Sequence, residues 1–170
     1  TGLPIADDHG KDVIVGDNGY ALFDSVGGKS LLREIHTTDP QYGGDDVIFA
    51  ANGQDVVLGG SGADFIDAGT DDSRDIVIGD NGEAFFDAAE TLLTIRTSAP
   101  GFGGDDAIRT GNGADIVLGG DGNDLILASG ADAFSTALGL IAAGRYSELD
   151  PGDAVRDIVL RDNGKALFSA

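Results

Sequence analysis

Gly59-Gly-Ser-Gly-Ala-Asp64-Phe-Ile-Asp67 and Gly119-Gly-Asp-Gly-Asn-Asp124-Leu-Ile-Leu127 are one nine-residue phrase written twice. Outward from each, the phrase loosens but keeps its step. Residues 50–58 (AANGQDVVL) precede the first and 110–118 (TGNGADIVL) precede the second. Asp46, Asp55 and Asp64 are nine apart, and so are Asp106, Asp115 and Asp124. Asp75 follows Asp64 by eleven, which a two-residue insertion in 70–73 explains. Two residues beyond each aspartate stands an apolar side chain: Ile48, Val57, Ile66, Val77, Ile108, Val117 and Ile126. Asp12 and Asp157 carry Ile14 and Val159 in the same place.

A longer repeat contains the short one. Asp12-Val-Ile-Val-Gly-Asp-Asn-Gly returns at Asp75 and, with Arg161 for Gly, at Asp157. The chain therefore divides into copies 12–74 and 75–156 and a partial third, 157–170, all within one domain spanning 1–170. Such self-similarity is the mark of a stacked repeat architecture.

Nine residues suit a half-turn of about six turn residues and three strand residues. Gly supplies the positive φ that a tight turn needs and lets backbone carbonyls approach closely. Strand side chains alternate faces, so one large apolar residue per row points inward. Two rows make one coil, and rows i and i+2 stack on the same edge about 4.8 Å apart. The expected fold is all-β: a right-handed parallel β-roll, a β-solenoid, with inserted β-hairpin arms and room for one short helix.

Stacking lines up the aspartates. Without a cation each column is like-charge repulsion; with Ca²⁺ it becomes a cage of roughly six to eight oxygens. The acid is of one kind, 26 Asp against 4 Glu, and Asp is the residue that holds a carboxylate close to a turn. Every candidate ligand is a hard oxygen. With two histidines in unrelated contexts and no Cys, Zn²⁺ or Cu²⁺ chemistry has no support.

These rows resemble the RTX (repeats-in-toxin) nonapeptide, Gly-Gly-x-Gly-x-Asp-x-U-x with U large and apolar. The resemblance implies Ca²⁺ between same-edge turns, held by the aspartate of each and by loop carbonyls. Carried over, the metal aspartates are Asp12, Asp46, Asp55, Asp64, Asp75, Asp106, Asp115, Asp124 and Asp157. Asp46 pairs with Asp64, Asp55 with Asp75 and Asp106 with Asp124, while Asp115 lacks a partner two rows on. The implied carbonyl donors are Gly44, Gly53, Gly60, Gly62, Gly104, Gly113, Gly120 and Gly122. The Asp-Asn-Gly phrases look like half-turns that kept a Gly turn and a core residue (Ala84 and Phe86 in the second copy) but lost the carboxylate. Asp17, Asp80 and Asp162 are then either ligands of a different kind or parts of an Asn-Gly hairpin turn.

Three segments break the frame. Residues 24–42 and 87–102 resemble each other and read as hairpin arms. Tyr20–Asp24 and Glu83–Asp87 go out, the Leu-rich stretches return, and Pro40 and Pro100 mark re-entry. Residues 131–156 differ; helix-like spacing of Phe134, Leu138 and Ile141 or Ala142 suggests a short helix, which Gly139 and Gly144 weaken.

The net charge of −20 at a mean hydropathy of +0.00 is the wrong field for a phosphate backbone, so nucleic acid is no expected partner. No stretch of about 18 apolar residues offers a membrane span. The function expected is an extracellular, secreted or surface-borne, Ca²⁺-binding structural module that folds on calcium. Copies of itself are the second expected partner, in a tandem array or a head-to-tail filament, adhesin or matrix. An open coil at 157–170 invites such stacking, and Leu31, Leu32, Ile35, Leu92, Leu93, Ile95, Leu167 and Phe168 are the candidate assembly residues. The alternative is the calcium-dependent folding and secretion module of a type I-secreted enzyme or toxin. No enzymatic activity is expected, because the periodic carboxylates are accounted for by metal.

Overall fold

The computed structural model describes residues 9–128 together with strands 158–160 and 165–167. Apart from one turn of 3-10 helix at Pro40–Tyr42, every regular element described is a strand. In chain order they are β1 (Val13–Val15), β2 (Gly19–Val26), β3 (Lys29–Thr37), β4 (Val47–Phe49), β5 (Val56–Gly60), β6 (Phe65–Asp67) and β7 (Ile76–Asp80). Then follow β8 (Gly82–Phe86), β9 (Leu92–Thr97), β10 (Ala107–Arg109), β11 (Ile116–Leu118), β12 (Leu125–Leu127), β13 (Ile158–Leu160) and β14 (Lys165–Leu167).

The nine-residue rows alternate between two parallel sheets. One has the order β1-β5-β7-β11-β13, the other β4-β6-β10-β12. Their registers superimpose the repeat on itself: Ile14, Val57, Val77, Val117 and Val159 lie side by side in one sheet. Ile48, Ile66, Ile108 and Ile126 do so in the other. Val57, Val77 and Val117 of the first set and the four isoleucines of the second fill one core with Ala50 and Ala68, which Ile14 flanks. The alternation expected of a three-residue strand is thus observed in β1, β5, β7 and β11, whose middle residues face this core and whose flanking residues face the other way.

A third sheet, antiparallel, has the order β2-β3-β8-β9-β14. The hairpin arms are real: β2 returns as β3 and β8 as β9. Both carry a bulge at the same place, between Leu22 and Phe23 and between Phe85 and Phe86. This corrects one expectation. The Asp-Asn-Gly rows are not half-turns of the parallel stack, because the chain leaves it there and begins the arm. Ala84 and Phe86 lie in a second core with Leu32, Ile35, Leu92 and Ile95, against Val56, Leu58, Ile76, Ile78, Ile116 and Leu118.

The arms therefore lie flat on the outer face of the β1-β5-β7-β11 sheet. Its strands are apolar at all three positions because both faces are covered, as buried parallel strands are. Four proposed assembly residues are consumed in this way: Leu32, Ile35, Leu92 and Ile95 are buried within the chain, and Leu31 and Leu93 are half-buried. Each large side chain so covered contributes roughly 1.5–3 kcal/mol, which explains why the arms fold down. Residues 131–156, with the suggested helix, and Phe168 lie outside the described residues, as do the side chains of β13 and β14.

Candidate metal centre

The aspartates form two ladders, one on each edge of the parallel stack. On the first edge the amide of Asp46 donates to Asp64 Oδ1 at 2.8 Å, that of Asp64 to Asp106 Oδ1 at 2.8 Å, and that of Asp106 to Asp124 Oδ1 at 3.1 Å. On the second edge Asp12 donates to Asp55 Oδ1 (2.8 Å), Asp55 to Asp75 (2.9 Å) and Asp75 to Asp115 (2.8 Å). The pairs 46–64, 55–75 and 106–124 are as the spacing predicts. Asp115 accepts the rung of the preceding row, from Asp75 across the second arm; its partner two rows on would fall at Asp157, outside the described residues. The arms loop out of the stack without interrupting either ladder.

One carboxylate oxygen of each rung is thus occupied. The other, Oδ2, is buried and has no hydrogen-bond donor in Asp46, Asp64, Asp75 and Asp106. No described Lys, Arg or His forms an ion pair with these four. Asp64 and Asp106 are 2 % exposed and Asp75 is 0 % exposed. Burying an unpaired carboxylate is costly, and the titration follows. Burial, reinforced by like-charged neighbours and opposed by the rung hydrogen bond, pushes Asp64 up to about 7 and Asp75 and Asp106 up to about 9. Asp46 is raised for the same reason, with Asp17 and Asp45 as its like charges.

Around three of these oxygens, those of Asp46, Asp64 and Asp106, the backbone is bare. A Cβ on Gly59 would collide with the Gly79 carbonyl oxygen and with Asp64 Oδ2. On Gly79 it would collide with Asp106 Oδ2 and lie 2.7 Å from the Gly119 carbonyl oxygen. On Gly16 it would meet the Gly59 carbonyl oxygen and, at 2.6 Å, Asp46 Oδ2. Carboxylate and carbonyl oxygens converge on space that only glycine leaves open.

Sequence reasoning missed Gly16, Gly59, Gly79 and Gly119 as cradle residues. The signal was present: each closes the phrase Asp-apolar-apolar-apolar-Gly. Of the glycines it named, Gly44, Gly62, Gly104 and Gly122 stack on one another on the first edge. Gly53 and Gly113 lie beside the carboxylates of Asp55 and Asp115 on the second, and Gly60 and Gly120 abut Asp17 and Asp80. Gly60 and Gly120 hold φ of 120° and 126°, values open to glycine alone without strain.

Asp17 and Asp80 resolve into braces. Asp17 accepts the amides of Gly44 (3.2 Å) and Ser61 (2.6 Å). Asp80 accepts those of Gly104 (3.0 Å) and Asp121. Each ties together two successive turns of the first edge with both oxygens, so neither reading of the Asn-Gly phrase was complete. Burial raises Asp80 to about 7 despite these amides. Asp12 donates the first rung of its ladder, while Asp157 and Asp162 lie outside the described residues.

Among the described residues no three His, Cys, Asp or Glu side chains group into a metal cluster. The ladder instead offers two carboxylates per pair of turns plus carbonyl oxygens, a hard, oxygen-only set suited to Ca²⁺. The residues present fit that ion: buried second oxygens without donors, and cradles a Cβ would fill. His36 lies apart on β3, paired with Glu83 at 2.9 Å.

The class this architecture defines is that of stacked nonapeptide proteins with acidic edges. The RTX calcium-binding nonapeptide repeat matches, in four copies, residues 42–74 and 100–132; these segments are RTX repeats, and such repeats are calcium-binding. The matched segments hold the first-edge ladder whole. No curated protein and no solved structure matches the chain. No described helix is long and apolar enough to cross a membrane.

Proposed function

We propose that the protein is a secreted, non-enzymatic structural module whose two parallel sheets are the walls of a right-handed β-roll that folds on calcium and assembles with other copies. The observation that carries this is the buried second oxygen, without a hydrogen-bond donor, of Asp46, Asp64, Asp75 and Asp106 along the two aspartate ladders. A fold that buries carboxylates raised to about 9 is incomplete at neutral pH. At neutral pH such carboxyls are buried only by taking up protons, and Ca²⁺ bound along the ladders would replace those protons and hold the carboxylates ionised. The chain's part is to hold Oδ1 of Asp64 and Asp106 on a rung, turn their Oδ2 toward the glycine cradle, and brace the turns with Asp17 and Asp80.

Because the unfolded chain has no preformed site, binding free energy becomes folding free energy. Extracellular sites of this kind bind in the range of about 10⁻⁴–10⁻³ M, so the module is loose where calcium is scarce and rigid outside the cell. That serves a structural or adhesive array, and equally the secretion module of a larger exported protein. Limited proteolysis at millimolar Ca²⁺, at millimolar Mg²⁺ and in EGTA tests it. Protection of the 9–128 region by Ca²⁺ alone is expected; protection unchanged in EGTA contradicts the proposal.

A further inference from the structure

The two edges of the stack use the same row but differ in the residue at its corner. Four residues beyond each second-edge aspartate, where the strand runs into a first-edge turn, stand Gly16, Gly59, Gly79 and Gly119. Four residues beyond each first-edge aspartate, where the strand runs into a second-edge turn, stand Ala50, Ala68, Thr110 and Ala128. The two positions are equivalent in the row. Gly59 lies two residues past the inward-facing Val57, and Ala50 lies two past the inward-facing Ile48.

On the first edge the missing side chain is the cradle. A Cβ on Gly16, Gly59 or Gly79 would crowd Oδ2 of Asp46, Asp64 or Asp106 and the carbonyl oxygen of the next row. Those three Oδ2 atoms are buried without a hydrogen-bond donor. On the second edge the corner already carries a Cβ. Ala50, Ala68 and Thr110 are 1 %, 0 % and 0 % exposed, and Ala50 and Ala68 pack into the core between the parallel sheets. By the equivalence of the rows, their side chains fill what the first edge keeps open.

Charge divides the edges in the same sense. The residues that precede the first-edge aspartates are Asp45, Ala63, Asp105 and Asn123. Those that precede the second-edge aspartates are Lys11, Gln54, Arg74 and Ala114. The first-edge turns 43–46, 59–64, 103–106 and 119–124 contain no Lys or Arg, and Asp17 and Asp80 are hydrogen-bonded to them. The summed field draws a divalent cation to the first edge and favours the second far less.

We infer that Ca²⁺ is held on the first edge alone, in the turns opened by Gly16, Gly59, Gly79 and Gly119, and that the side chains of Ala50, Ala68 and Thr110 close the second edge to the ion. The inference rests on the calcium reading above and narrows it. Asp12, Asp55, Asp75 and Asp115 then hold rungs and not metal. The stack is tied by ions along one edge and by rung hydrogen bonds and buried methyls along the other.

Mn²⁺ locates the sites without any substitution, because it accepts hard oxygen ligands and its unpaired electrons broaden the amide resonances near it. Added in trace to the Ca²⁺-loaded parent chain, it is expected to erase the amide resonances of 59–64, 103–106 and 119–124 while those of 50–55 and 110–115 persist. Equal loss on both edges overturns the inference. Ala68→Gly opens a second-edge corner in the turn of Asp75, whose Oδ2 is buried without a donor. Loss at 68–75 is then expected as well. Its failure to appear, in a chain that still gains β structure on Ca²⁺, overturns the part given to the methyls. Should that variant not fold, the parent spectra still decide which edge binds. A parent chain whose β structure is indifferent to Ca²⁺ overturns the calcium reading instead.

Discussion

Two oxygens of one side chain carry the argument at the scale of the residue. In Asp106, Oδ1 accepts the amide of Asp64 and Oδ2 is buried beside Gly79. Asp106→Asn keeps a carbonyl for the rung but turns an amide donor toward the cradle. It should raise the Ca²⁺ midpoint of folding by roughly ten-fold, about 1.4 kcal/mol. In EGTA the same change removes a carboxyl that must take up a proton to be buried, so it should favour the folded form; far-UV circular dichroism in both conditions reads the opposite signs. Gly79→Ala fills the cradle directly, and overpacking of this sort costs about 1–3 kcal/mol, visible as a lower Tm in Ca²⁺. The pH response follows from the raised carboxyls. Their folded-state values, about 7 for Asp64 and Asp80 and about 9 for Asp75 and Asp106, lie above the ordinary 3.8 of the unfolded chain. Calcium-free stability is therefore fully present below about pH 4 and lost as pH rises through 7 and then 9. Acidifying an EGTA sample from pH 9 to pH 5 should increase its β structure by far-UV circular dichroism. In excess Ca²⁺ the response reverses, since protons then compete with the ion.

At the scale of the element, the strands of the parallel sheets were legible in the sequence because a period of nine fixes both the turn and the inward residue. The hairpin arms were legible too, through the likeness of 24–42 to 87–102. Their destination was not. Leu32, Ile35, Leu92 and Ile95 read equally well as an interface to another molecule or a cover for this one, and the decision rests on the far face of a different sheet. The apolar triplets Val56–Leu58, Ile76–Ile78 and Ile116–Leu118 held the missing signal: strands covered on both faces. The same reasoning explains the misplaced Asp-Asn-Gly rows, where a nine-residue count carries on through Ala84 although the chain has already turned into the arm. Ile95 is fully buried between sheets. Ile95→Ala should cost about 2–5 kcal/mol, read by denaturant unfolding in saturating Ca²⁺, while leaving both ladders in place.

Across the whole molecule, three sheets share one axis of repetition, and the two ladders run unbroken past the arms. Asp64 meets Asp106 across an intervening 41 residues, and Asp75 meets Asp115 across 39. This continuity was hidden in the sequence because the arm lengths obscure which rows become neighbours; only the register shows it. It also makes the stack cooperative: each rung borrows its geometry from the next, so loss of the ions should be felt along the full column rather than at one site. Far-UV circular dichroism during a Ca²⁺ titration after EGTA treatment, repeated with Mg²⁺, tests this most directly. The account predicts a single cooperative gain of β structure in millimolar Ca²⁺ and none with Mg²⁺. A β spectrum unchanged by EGTA would contradict it, because the buried aspartate ladders would then hold without the ion.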